Sequence, residues 1–251
     1  MTKRGLLEKL RAEELEPFEG WDFSHLEGRM LEGALPWSYE SIVLEALPDA
    51  ASLLDMGTGG GEFLSNLKLI PPDTHATEGY APNVPVARAR LGRLGILVHE
   101  AGNDDRLPLP DEGFDLLINR HESYDAAEVR RVLRPGGHFI TQQVGGRNDI
   151  DLNELLAAPN PDFGMSYWDL GYARRELEEE GFKVVEAAEV FPFTRFTDVG
   201  AIVFYLKVTP WQIPDFTVDR YFARLEALEG RIKNEGPVRI RSHRFLLVAE
   251  K

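Results

Sequence analysis

Two stretches of this chain hold residue types and spacings that can do chemistry. The first is Leu53-Leu54-Asp55-Met56-Gly57-Thr58-Gly59-Gly60-Gly61-Glu62-Phe63, an apolar run, a glycine-rich turn and the start of a helix. A turn without Cβ atoms lets a ligand approach the backbone closely. A dinucleotide fingerprint beginning at Gly57 needs glycine at 62, where Glu62 stands. Glu62 also opens the helix, where a pyrophosphate seeks positive potential. A cationic nucleoside without phosphate suits these charges better. Asp55 can attract an ammonium group, and Glu78 is placed to accept both hydroxyls of a ribose. A tight turn that holds no ligand is the plainer reading. The second stretch is Asn119-Arg120-His121-Glu122-Ser123. His121 titrates in the range of a general base, and Glu122 beside it is a second proton acceptor.

The elements around these residues alternate. Strands are expected at 52–56, 75–78, 96–99, 114–119, 139–144, 183–190 and 245–249. Helices are expected at 62–69, 84–91, 125–133 and 170–181, with two more near the N-terminus at 6–15 and 39–47. Asp125 and Glu128 have the spacing of a capping box. Strands alternating with helices, and apolar on both faces, give an α/β fold: a doubly wound, mostly parallel seven-stranded sheet. The carboxyl ends of its first and fourth strands, where both stretches fall, are the binding edge of such a sheet. The expected division is an N-terminal helical arm over 1–50, a core over 51–190 and 243–251, and a cap over 191–242 inserted before the last strand. Such an arm and cap can close over a substrate and exclude water.

Composition narrows the classes. The 251 residues include no cysteine, which removes disulfides, thiolate nucleophiles and Cys-ligated metals. The histidines show no metal spacing, so no metal is expected. The net charge of −14 repels phosphate backbones and anionic membranes. The apolar run Ala201–Leu206 is far too short to span a membrane, and residues 1–16 lack the apolar core of a signal peptide. A cytoplasmic location is expected.

Taken together, LLDMGTGGGEF at 53–63, the acid in Thr77-Glu78-Gly79-Tyr80, AGNDDRLPLPDEGFDLLINRHES at 101–123 and VRRVLRPGGHFITQQV at 129–144 resemble one family. The sequence looks like a class I S-adenosylmethionine-dependent methyltransferase of the small-molecule type, with a Rossmann-like fold. Within that family it resembles an uncharacterised bacterial subgroup with Asn-Arg-His-Glu after the fourth strand. The resemblance implies that Asp55, Gly57, Thr58, Gly59 and Gly61 hold the methionine part of S-adenosyl-L-methionine. It implies that Glu78 binds the ribose and that Gly79 and Tyr80 shape the adenine side. Asn103 and Asp104 would read adenine, with Asn103 standing where many members have Asp. Asn119 would offer its backbone carbonyl to the cofactor's amino group.

Methyl transfer is an in-line displacement, to which a protein contributes mainly approach and alignment. A base is needed only where the acceptor keeps its proton. His121 and Glu122 either fill that role or fix the loop. Arg120 either binds an acidic acceptor or pairs with Glu122. Gln142-Gln143 either faces a ligand or forms satisfied core amides. Trp37, Tyr39, Trp211 and Phe216 are candidates for a lid, or for simple packing. Arg239, Arg241, His243 and Arg244, alternating along one strand, are the one patch that invites an RNA reading; a solvated face is the alternative. A small-molecule acceptor is expected, with RNA modification or a non-catalytic S-adenosylmethionine-binding module as alternatives. A nicotinamide oxidoreductase is disfavoured by Glu62 and by the absence of a Tyr-x-x-x-Lys pair.

Overall fold

The structure, a computed structural model, describes residues 2–18, 22–102, 106–160 and 167–251. Asn103 and Asp104 lie outside the described residues. Contacts divide the chain into two compact units, one of Met1–Leu35, Gly146–Tyr167 and Val190–His243, the other of Pro36–Gly145, Trp168–Glu189 and Arg244–Lys251. Residues 36–50, read from the sequence with the arm, fall in the unit that carries the sheet. Residues 146–167, read with the core, fall in the other.

The sheet has seven strands: β1 Ser52–Met56, β2 Asp73–Glu78, β3 Leu97–Glu100, β4 Phe114–Arg120, β5 Leu133–Val144, β6 Lys183–Val190 and β7 Arg244–Glu250. Their order is β3-β2-β1-β4-β5-β7-β6. Pairings from β3 through β5 are parallel, and β7 runs antiparallel to β5. The α/β expectation is met. The order reverses direction at β1, so a crevice opens between the carboxyl ends of β1 and β4.

Consecutive strand residues point to opposite faces. Leu54, Leu117, Phe139 and Leu247 join one core cluster with Trp168 and Leu177. Their neighbours Leu53, Leu116, Ile140 and Leu246 join another with Val43, Leu64 and Leu91. Helices cover both faces, which is why these strands read as unbroken apolar runs. The helix after the glycine turn is shorter than expected, Glu62–Asn66; Leu67 leaves helical geometry and Leu69 stands exposed with φ 62°. Asp125 caps the helix Ala126–Val132 by accepting from the Glu128 N–H at 2.7 Å. Glu128 does not complete the capping box; it accepts from the Leu107 N–H and pairs with Arg131.

The other unit packs helix Lys3–Leu15 with Val199–Val208 and Val218–Glu235 around one core. Helix Val199–Val208 is buried nearly all round, so its sequence has no polar face and shows only an apolar run. A small antiparallel sheet joins Met30–Leu31, Phe193–Phe196 and Val238–Arg241. The basic residues near the C-terminus therefore do not share one strand, because Arg239 and Arg241 belong to this small sheet and Arg244 to β7. Arg239 lies 4.1 Å over the Phe193 ring, Arg241 pairs with Asp151 at 2.6 Å, and His243 is buried against Phe191.

Candidate active site

Every residue of β1 is buried. Its end is tied to β2 by two bonds: the Gly57 N–H donates to Thr77 Oγ1 at 3.2 Å, and the Thr58 N–H to Thr77 O at 2.9 Å. Gly57 has φ +72° and Gly59 φ +62°, backbone that side-chain-bearing residues rarely adopt. A Cβ built on Gly57 would run into Glu122 Cγ, and one built on Gly59 would meet no atom within 4 Å. One on Gly61 would lie 2.7 Å from Leu91, so that glycine lets the next helix pack closely.

Asp55 is 4% exposed and accepts from Thr58 Oγ1 at 2.7 Å. Burial pushes its pKa up to about 6, the Thr58 bond opposes this, and the Glu78 charge adds to it. Glu78, also 4% exposed, ends β2, and its Oε1 accepts from the Tyr80 N–H at 2.7 Å. Tyr80 itself is exposed, and a Cβ on Gly79 would find ordinary space. Glu122 leans across Gly57. Its pKa is also raised, first by desolvation and then by Glu78. Asp55, Glu78 and Glu122 thus converge on the glycine turn, where the Glu78 charge disfavours ionisation of the other two. A cation placed there relieves that cost.

Glu62 is a correction. It ion-pairs with Arg90, whose guanidinium also donates to the Gly60 carbonyl. The acidic potential at the turn comes from Asp55, Glu78 and Glu122, and Glu62 is largely neutralised.

At the end of β4, Asn119 is fully buried. Its Oδ1 accepts from Thr141 Oγ1 at 2.9 Å and Gln143 Nε2 at 2.6 Å. Gln143 also donates to the Glu122 carbonyl at 2.9 Å, which fixes the loop. Gln142 bridges two residues. Trp37 Nε1 donates to its Oε1 at 2.8 Å, and its Nε2 lies 3.0 Å from His121 Nε2. Indole nitrogen can only donate, so Gln142 must present its amide hydrogens to His121. His121 Nε2 is then an acceptor and its proton sits on Nδ1. Both glutamines are thus satisfied internally and build the floor beneath the loop.

His121 is exposed as a residue, yet protein crowds its ring. Desolvation, then the Arg244 and Arg120 charges, pull its pKa down to about 3. The ring is neutral at physiological pH. Arg120 lies 5.9 Å over the Tyr39 ring and 5.9 Å over the Phe63 ring. The alternative pairing with Glu122 is not made among the described residues. Tyr39 and Trp37 are thus built into the sheet unit beside the site; their fixed contacts with Phe63 and Gln142 have no periodic sequence signal.

Residues 54–141 match the family described as "Methyltransferase domain". The demethylmenaquinone methyltransferase of Roseiflexus sp. strain RS-1 is 37% identical over 100 residues, 39% of this chain and 42% of that protein. The fatty-acid O-methyltransferase of Mycolicibacterium smegmatis is 31% identical over 132 residues, 49% of this chain and 48% of that protein. Residues 54–141 are a methyltransferase domain, and in sequence and fold the chain is similar to class I S-adenosylmethionine-dependent methyltransferases. The YcgJ protein of Bacillus subtilis shares the fold at a TM-score of 0.57 and 16% identity, over 85% of this chain and 97% of that one. The chain spans about half the length of the curated relatives it matches. The methyltransferase family uses S-adenosylmethionine, and the residues present fit it: a turn open at Gly59, and three carboxylates facing a ligand whose sulfur and amino group are both positive. No helix among the described residues is long and apolar enough to cross a membrane.

Proposed function

We propose that this methyltransferase transfers a methyl group to a small-molecule acceptor by in-line displacement. The convergence of Asp55, Glu78 and Glu122 on the glycine turn carries the reading. Bound S-adenosylmethionine supplies an electrophilic methyl group on a positively charged sulfur. Asp55 and the turn from Gly57 through Thr58 and Gly59 to Gly61 hold the methionine part. Glu78 accepts from the ribose hydroxyls, its orientation set by the Tyr80 N–H. Gly79 and Tyr80 shape the adenine side, with Asn103 and Asp104 following. The Asn119 carbonyl faces the amino group. Three observations favour a small acceptor over RNA: the named relatives, the net charge of −14, and the engagement of Arg239 and Arg241 within their own unit.

Calorimetry should detect S-adenosylhomocysteine and no binding of NAD or NADP. Glu78→Ala should weaken S-adenosylhomocysteine by about 5- to 150-fold, the loss of charge-assisted bonds to two hydroxyls. Unchanged affinity would move the ribose elsewhere. Turnover across a panel of quinols, fatty acids and phenols, read as S-adenosylhomocysteine formed, tests catalysis itself.

His121 and Glu122 take different roles. A neutral imidazole with its Nε2 lone pair already engaged is a poor base and a good Nδ1–H donor to the acceptor. Glu122, its pKa raised by burial and by the Glu78 charge, receives the proton where the acceptor carries one. Glu122 must be ionised to do so. At saturating S-adenosylmethionine the rate should therefore fall as pH drops through its raised pKa, and Glu122→Gln should abolish that limb. His121→Asn should slow the reaction at every pH and leave the limb in place. A limb that disappears with His121 instead would reverse the two roles.

A further inference from the structure

We propose that Arg120 and Tyr39 form a receptor for a carboxylate, which in the site proposed above comes from either the cofactor's methionine part or the acceptor. Tyr39 is 6% exposed, yet its buried O–H donates to no acceptor. Its proton is held firmly, first by burial and then by the Asp55 charge, while Arg120, 5.9 Å from the ring, and the Asn119 backbone N–H pull the other way. It is a protonated donor. Arg120 is exposed, and among the described residues it forms no ion pair. Its guanidinium is held by the faces of Tyr39 and Phe63, whose rings are 5.3 Å apart. Contacts to ring faces fix the plane of the group and leave its N–H donors uncommitted.

A planar fork of N–H groups beside an O–H complements two coplanar oxygens bearing one negative charge. Phosphate is the poorer match, since Asp55, Glu78 and Glu122 repel a dianion. Phe63 stands two residues after Gly61 and its ring lies 5.3 Å from that of Tyr39, so the receptor adjoins the turn. A zwitterionic amino-acid end satisfies both halves, its ammonium toward Asp55 and its carboxylate toward Arg120. An acidic acceptor satisfies the receptor half alone.

Calorimetry on the intact protein separates the sources, with Arg120→Met and the near-isosteric Tyr39→Phe as variants and thermal unfolding as the control for folding. If the cofactor supplies the carboxylate, wild type binds S-adenosylmethionine about 10- to 100-fold tighter than its decarboxylated analogue, a span set by one charged bond. Arg120→Met then erases most of that preference without changing the affinity for the analogue, and Tyr39→Phe erases a smaller part. If the acceptor supplies it, both variants keep their cofactor affinity. The wild type saturated with S-adenosylhomocysteine then binds octanoate or benzoate and not the methyl esters, and Arg120→Met does not. Variants that keep the wild-type preference and the wild-type response to octanoate and benzoate overturn the receptor and leave the methyltransferase reading intact. A wild type that binds no S-adenosyl compound overturns both.

Discussion

Gly59→Val should show no S-adenosylhomocysteine binding by calorimetry at concentrations that saturate the wild type, with its circular dichroism and cooperative unfolding retained. Gly59 has φ +62°, and a Cβ there meets no atom within 4 Å. The backbone penalty for an L-residue in this region is about 1–2 kcal/mol, against a total stability of roughly 5–15 kcal/mol for a domain. The fold survives, and the added branch lies where the ligand must approach the backbone. Gly57→Val is a poorer test, because its Cβ collides with Glu122 and would disturb the loop after β4 as well. Normal binding by Gly59→Val would reduce the turn to a chain reversal without a ligand.

Asp55→Asn should stabilise the protein at pH 7.5 and weaken its hold on the cofactor. Burial raises this carboxyl from an ordinary 3.8 to about 6 in the folded protein. The folded state therefore binds the proton more tightly than the unfolded state does. Stability attributable to Asp55 is complete below about pH 4, declines as pH rises toward 6, and stays lost above that. A shift of about two units corresponds to at most about 3 kcal/mol. Asparagine is never charged and can still accept from Thr58, so the melting temperature should rise at pH 7.5 and match the wild type near pH 4. Cofactor binding moves the other way. A cation favours the ionised carboxylate, so wild-type affinity should fall as pH drops below about 6, and that pH dependence should vanish in Asp55→Asn. A variant that melts lower at pH 7.5 would make Asp55 a structural anchor instead.

The sheet and the turn were legible because they obey local rules. Strands covered on both faces are apolar throughout, and the run Gly57–Gly61 fixes where the backbone must bend. All seven strands lie within a few residues of their expected places, except that β5 begins earlier, at Leu133. Helix Val199–Val208 left no periodic trace because it has no wet face. Helix Ile150–Leu156 was missed as well: seven residues opened by Asp149 in left-handed geometry carry no side-chain cap. The site was legible where one residue suffices, as at Asp55 and Glu78. It was illegible where a role depends on partners distant in the chain. Gln142 fixes the tautomer of His121 only because Trp37 lies on its other side. His121 reads as a base from its type; desolvation and two nearby guanidiniums make it a neutral donor.

The position of β7 bears on how the sheet is completed during synthesis. Residues 244–250 separate β5 from β6, so β6, made at 183–190, has no place in the sheet until β7 arrives. At ribosomal speeds of about 5–20 residues per second, that wait lasts roughly 3–12 s. Meanwhile the open edge of β5 is a template for foreign strands. Occupying it early, or lengthening the segment before β7, would shift the balance between folding and aggregation in the nascent chain without touching any residue of the site.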